Sequence, residues 1–105
     1  MGPVVLVGLG GILAEVLDDV AVLLAPVTTD EVIARLDALR GAALLRGSRG
    51  APGVAMRPLA EVVVAIGDLL VADRSIVEID CNPVIAGPSG SVAVDGLVVV
   101  EDASA

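Results

Sequence analysis

Apolar residues along the chain fall into short runs separated by glycine, proline and acid. Val4 to Val7 is a largely β-branched run just after Gly2-Pro3, the pattern of a buried strand. Gly8-Leu9-Gly10-Gly11 breaks it. Ile12 to Leu17 and then Val20 to Leu24 read as a second strand, with Asp18-Asp19 as a bulge or turn and Pro26 as its stop. The short glycine turn suits an antiparallel hairpin between the two. Thr28 and Glu31 then stand at capping-box spacing, where a hydroxyl satisfies a free N–H and a carboxylate reaches back. Ile33, Leu36 and Leu39 continue a helical stripe, and Glu31 with Arg35 is a favourable i,i+4 pair. Gly41 ends or interrupts that helix.

Leu44 to Gly53 is the most loop-like stretch of the chain. Pro58 suits the first turn of a second helix. Its apolar face is Leu59, Val62, Val63, Ile66, Leu69 and Leu70, and Gly67 weakens it by roughly 1 kcal/mol against alanine. Ile76 to Ile85 alternates as a strand should. Val77, Ile79 and Cys81 face one way, and Glu78, Asp80 and Asn82 the other. Gly87-Pro88-Ser89-Gly90 is a turn, Val92 to Val100 the return strand, and Glu101 to Ala105 a fraying end. The order β-β-α-α-β-β predicts an α+β fold, an antiparallel sheet with helices on one face. No internal repeat is visible, and residues 1–105 make one domain.

Composition narrows the chemistry. Phe, Tyr, Trp, His, Lys and Gln are all absent, a reduced amino-acid alphabet that points to strong compositional bias or deliberate simplification. No His or Lys base, Ser-His-Asp triad or His/Cys zinc cluster can form. No aromatic ring is present to stack on a base. The formal net charge of −8 argues against nucleic acid as a partner. Cys81, the lone cysteine, cannot form an internal disulfide, so a cytoplasmic setting is expected, with Cys81 a small buried hydrophobe. The first fourteen residues lack charge, but glycine and proline interrupt them and Glu15 ends them. A bilayer span needs about 20 apolar residues, so no membrane partner is expected.

The last hairpin carries the most information. A turn centred between Pro88 and Ser89 pairs residues whose numbers add to 177, and so sets Asn82 opposite Asp95. Asp80 and Glu78 share that face. Carboxylates and a carboxamide together offer hard oxygen donors suited to Mg²⁺. A slip of one residue would send Asp95 to the other face. A solvated acidic strand face accounts for the same residues. Arg46 and Arg49, spaced by glycine and serine, suit an anion such as phosphate, and equally suit a solvated loop. Val4 to Ala14 fails as a dinucleotide fingerprint, because Leu13 stands where the third glycine belongs. A tight turn that brings backbones close is the better reading. Glu15, on the second strand, reads on pattern alone as an exposed carboxylate.

Three stretches together resemble the ADP-forming acyl-CoA synthetases, relatives of succinyl-CoA synthetase. They are Gly2 to Val20 with its Gly10-Gly11-Ile12-Leu13-Ala14-Glu15 element, Leu44 to Gly50, and Glu78 to Pro83 followed by Val94-Asp95-Gly96. The similar region is the C-terminal subdomain of the family's ATP-grasp module, and it covers nearly the whole chain. The resemblance implies ATP or ADP and Mg²⁺ as cofactors. The reaction it implies interconverts acyl-CoA, phosphate and ADP with acid, CoA and ATP through a phosphohistidine. It assigns Asn82 and Asp95 to the metal and sets Glu15 and Arg49 near the nucleotide, where Arg46, the other arginine of the anion-suited pair, is expected to join them. The lysine-bearing ATP-grasp half and the CoA-binding domains would be partners supplied from elsewhere. Ser48 stands where the family often has an aromatic, Ala55 where it has Asp, and Gly96-Leu97 where it has a small residue and Arg. The metal pair is therefore expected to be kept more fully than the rest of the nucleotide site.

Two functions are compatible with these residues. One is a half-module that binds nucleotide and Mg²⁺ and is inactive alone. The other is a structural subdomain without a ligand, whose apolar sheet face pairs with another copy in a homo-oligomer.

Overall fold

Why the chain folds as it does is clearest at its first helix. The computed structural model of the chain describes residues 3–8, 19–47, 52–81, 84–93 and 96–101. Helix α1 (Thr29–Asp37) starts at Thr28, whose hydroxyl accepts the Glu31 N–H at 3.1 Å. The same hydroxyl donates to the Glu31 carboxylate at 3.2 Å, so that carboxylate reaches back to the side chain of the cap. Val32 and Leu36, four residues apart, are the most completely buried large side chains. Burying each is worth about 1.5–3 kcal/mol.

Strands β1 (Val4–Gly8) and β2 (Val20–Leu24) form an antiparallel ladder running from Val4 opposite Leu24 to Gly8 opposite Val20. The pairing matches expectation, but the connection does not. With Gly8 facing Val20, residues 9–19 separate the paired ends, more than the short glycine turn expected. Ile12 to Leu17 lies outside the described residues. Alternation then sorts the ladder: Val5, Ala21 and Leu23 enter the core, while Val4, Leu6, Val22 and Leu24 are exposed.

A short helix, α2 (Ala42–Arg46), occupies part of the stretch that reads as a loop. Its apolar pair Ala42 and Leu45 is spaced i,i+3 and buried, and that tertiary burial organises an otherwise glycine-rich run. Helix α3 (Met56–Ala72) holds Pro58 in its first turn, where a missing N–H costs nothing. Its buried face is Leu59, Ala60, Val63 and Gly67, rotated from the expected stripe, and Leu69 is exposed. Gly67 lies on the buried face against the β1–β2 ladder, where a Cβ would stand 3.4 Å from Ala25 Cβ and 3.6 Å from Val5 Cγ2, ordinary contact. Past the helix, Asp73 accepts the Ser75 N–H and hydroxyl at 3.0 and 2.6 Å. These bonds, the side-chain one foremost, hold its carboxyl below the ordinary 3.8.

The C-terminal hairpin comprises β3 (Ile76–Cys81), β4 (Val84–Gly87), β5 (Gly90–Ala93) and β6 (Gly96–Val100). β3 pairs with β6 and β4 with β5, both antiparallel, so β3–β4 is one arm and β5–β6 the other. The element order is thus the expected α+β arrangement with one added helix. Among the described residues the strands form three two-stranded ladders. The alternation of β3 is broken at Val77, a bulge between Ile76 and Glu78 that leaves this valine 62% exposed. Ile79 and Cys81 are half-buried, so the thiol is less enclosed than the alternation predicts. Helix α3 packs against α1 on one flank and against β1, β3 and β5 on another. Among the described residues no helix is long and apolar enough to cross a membrane.

Candidate functional site

Two regions hold the residues singled out for chemistry, and a short strap links them. The first is built around α2. Its N-cap is Gly41, whose N–H would otherwise lack a helical acceptor. Asp19, 6% exposed, supplies one. One carboxylate oxygen accepts the Arg40 N–H at 2.8 Å and the other accepts the Gly41 N–H at 2.8 Å. The residue just before β2 therefore holds the α1–α2 turn in place. This contact escapes sequence reasoning, which sees in Asp18-Asp19 only a bulge or turn. The partners are 21 and 22 residues away, so no local spacing announces it.

Arg46 ends α2. Its guanidinium donates to the Asp37 carbonyl at 3.3 Å, and its Nε stands 4.0 Å from the Asp37 carboxylate. Both side chains are about half exposed, so this pair is worth well under 1 kcal/mol. The contact orients the guanidinium without enclosing it, and five N–H donors allow an arginine more partners than these. Arg49 and Glu15 lie outside the described residues.

The strap is Pro52–Ala55. Val54 N–H donates to the Leu45 carbonyl at 2.7 Å, and Ala55 N–H to the Gly87 carbonyl at 3.0 Å. Between them, these bonds tie the end of α2 to the tip of the β4–β5 hairpin. Gly53 makes the approach possible: a Cβ there would fall 2.6 Å from the Arg46 carbonyl oxygen. Gly8 works similarly, its Cβ position standing 3.1 Å from the Asp19 carbonyl oxygen.

The second region is the C-terminal hairpin. Around the Pro88-Ser89 turn, Gly87 pairs with Gly90, Ala86 with Ser91, Ile85 with Val92 and Val84 with Ala93. Further out, Cys81 pairs with Gly96, Asp80 with Leu97, Ile79 with Val98 and Glu78 with Val99. The residue numbers of every one of these pairs add to 177. The phase is lost only at the Val77 bulge, beyond Glu78. Asn82 and Asp95 lie outside the described residues, between two ladders that keep one register. Glu78 and Asp80 are exposed on β3. Among the described residues, no three Asp, Glu, Cys or His side chains gather as a metal group.

The sequence model of the ATP-grasp domain matches residues 1–100. A trans-feruloyl-CoA synthase from an unknown prokaryotic organism is 44% identical over 102 residues, which are 95% of this chain and 14% of that protein. The beta subunit of the ADP-forming acetate–CoA ligase I of Pyrococcus furiosus is 35% identical over 99 residues, 94% of this chain and 43% of that subunit. The acetyl-coenzyme A synthetase 1 of Ca. Korarchaeum cryptofilum has been solved with coenzyme A, Ca-AMPCP and HgCl⁺. It superposes with a TM-score of 0.89 at 32% identity, over 95% of this chain and 44% of that one. The chain thus spans less than half the length of each of these relatives.

Proposed function

Because the chain belongs to the ATP-grasp domain family, we propose that it is the metal- and nucleotide-phosphate-holding part of an ADP-forming acyl-CoA ligase. The observation that carries this reading is the register of the last hairpin. Pairs that add to 177 on both sides of Asn82 and Asp95 favour setting these two residues opposite each other. Directly opposed side chains on one face have Cβ atoms about 5 Å apart. A carboxamide oxygen and a carboxylate suit Mg²⁺, which takes few protein ligands and fills its other positions with water and phosphate oxygens.

In this reading Asn82 and Asp95 hold the metal. That metal would offset the negative charge of the nucleotide phosphates. Arg46 and Arg49 flank the same nucleotide and offer planar donors to its phosphates, and Glu15 lies beside it. Asp19 and the strap keep α2, and with it Arg46, in register with the hairpin. The relatives' names support acyl-CoA formation as the overall reaction, in which this chain supplies one part and other domains the remainder. With no histidine, the chain has no residue to carry a phosphohistidine, so it is inactive alone. A lone thiol fits a cytoplasmic setting.

Calorimetric titration of the chain with Mg²⁺-ADP tests the proposal. Binding is expected, and Asn82→Ala with Asp95→Ala should weaken it at least tenfold while the far-UV circular dichroism stays unchanged. Absence of heat up to millimolar Mg²⁺-ADP would sink the nucleotide reading. An affinity indifferent to the double substitution would sink the metal assignment.

A further inference from the structure

Helix α2 presents Arg46 at its end, and it is too short to set its own direction. It has five residues and buries two side chains, Ala42 and Leu45. Helices shorter than about 12 residues are marginal by themselves, so contacts at the two ends decide where this one points. At the far end the strap holds the Leu45 carbonyl, one residue before Arg46. At the near end stands the Asp19 carboxylate, with the Arg40 and Gly41 N–H groups each at 2.8 Å.

Among the described residues Asp19 is the one buried charged side chain. Two adjacent N–H donors call for two acceptor oxygens, and a carboxylate supplies both. The amide of an asparagine would set its own NH₂ against one of them. The main chain of Asp19 leads into β2, and its carbonyl oxygen lies 3.1 Å from where Gly8, the last residue of β1, would carry a Cβ. The end of β1, the start of β2 and the turn between α1 and α2 therefore meet at one residue. Arg46 feels that turn directly. Its guanidinium donates at 3.3 Å to the carbonyl of Asp37, the last residue of α1, so the contact depends on the angle between the two helices.

We propose that Asp19 is a positioning residue for phosphate binding: by fixing the start of α2 it holds the Arg46 guanidinium where a nucleotide phosphate meets it. The proposal rests on the nucleotide reading and adds to it a residue that acts through another.

A double-mutant cycle on Mg²⁺-ADP affinity, read by calorimetry on variants whose far-UV spectra match the parent, tests it. Asp19→Asn should weaken binding at least threefold and Arg46→Ala at least tenfold, and the double variant should bind no worse than Arg46→Ala alone. Losses that multiply overturn the proposal, as does an Asp19→Asn chain that binds like the parent. The parent chain gives a second measurement that needs no variant. Coupling is reciprocal, so saturating Mg²⁺-ADP should slow hydrogen exchange of the Arg40 and Gly41 amides at least threefold and leave the Glu31 amide, at the start of α1, unchanged. Unaltered exchange at Arg40 and Gly41 overturns the proposal. In the ligand-free chain, Asp19→Asn should shift the Arg46 Nε–H resonance and not that of Arg57, which bonds Thr29 at the other end of α1. A fixed Arg46 resonance overturns the positioning role without reference to nucleotide. A shifted one in a chain that binds no Mg²⁺-ADP supports that role and overturns the nucleotide reading.

Discussion

Replacing Gly53 with alanine places one methyl group where the structure has no room. The new Cβ would stand 2.6 Å from the carbonyl oxygen of Arg46, 2.9 Å from its carbonyl carbon and 3.2 Å from the Leu45 carbonyl oxygen. All three neighbours are backbone, so no side-chain rotation relieves the contact. Either the end of α2 or the strap must move, and moving either lengthens the 2.7 Å bond from Val54 N–H to Leu45. Overpacking of this kind costs about 1–3 kcal/mol. For a domain near 100 residues that is a fall in Tm of about 4–8 °C per kcal/mol. An ordinary surface-loop substitution would change stability by less than about 0.5 kcal/mol. The chain has no aromatic residue, so urea and thermal unfolding would be followed by circular dichroism at 222 nm. A Gly53→Ala protein within about 0.5 kcal/mol of the parent would refute the reasoning and return the segment to a loose loop.

Gly67→Ala should behave oppositely: its Cβ meets Ala25 at 3.4 Å and Val27 at 3.8 Å, ordinary contact, and helix propensity gains up to about 1 kcal/mol. Urea midpoints would show a neutral or stabilising change, and a loss above about 1 kcal/mol would mean the core there cannot give. Asp19→Ala strands two backbone N–H groups in a partly buried turn and should cost about 2–4 kcal/mol, with Asp19→Asn, which keeps one acceptor, costing less. Equal effects of the two in urea unfolding would show that the paired acceptors are not what matters. Asp73 has a folded-state pKa held below 3.8 by Ser75, so its contribution to stability is present above that value and is lost as pH falls through the lower one. An NMR titration should show the Asp73 carboxyl rising toward 3.8 in Ser75→Ala, and an unmoved midpoint would exclude Ser75 as the cause.

What sequence reading captured was local or geometrically forced. The Thr28–Glu31 cap spans three residues, and its chemistry is complete within them. The hairpin register follows from its tight turn: once Gly87 and Gly90 close it, the pairing outward to Glu78 opposite Val99 is determined. Contacts made at a distance were illegible. Asp19 reaches 21 residues along the chain, and nothing around it signals that. α2 exists because Ala42 and Leu45 find the core, which a glycine-flanked window cannot disclose. Gly67 reads as a helix defect until Ala25 and Val5 are seen against it. For the site, the one described residue, Arg46, sits where α2 and Asp37 put it, and the motif alone could not distinguish that position from a free loop.

The strap between α2 and the hairpin also has a kinetic meaning. Adjacent amides, those of Val54 and Ala55, donate in different directions, one to Leu45 and one to Gly87. If the segment lifts as one unit, both protons become available to solvent in the same event, and their hydrogen-exchange rates converge on one opening free energy. If it peels from one end, the two rates separate, and the faster amide marks the end that lets go first. Two neighbouring protons thus time the detachment of the helical region from the tip of the hairpin.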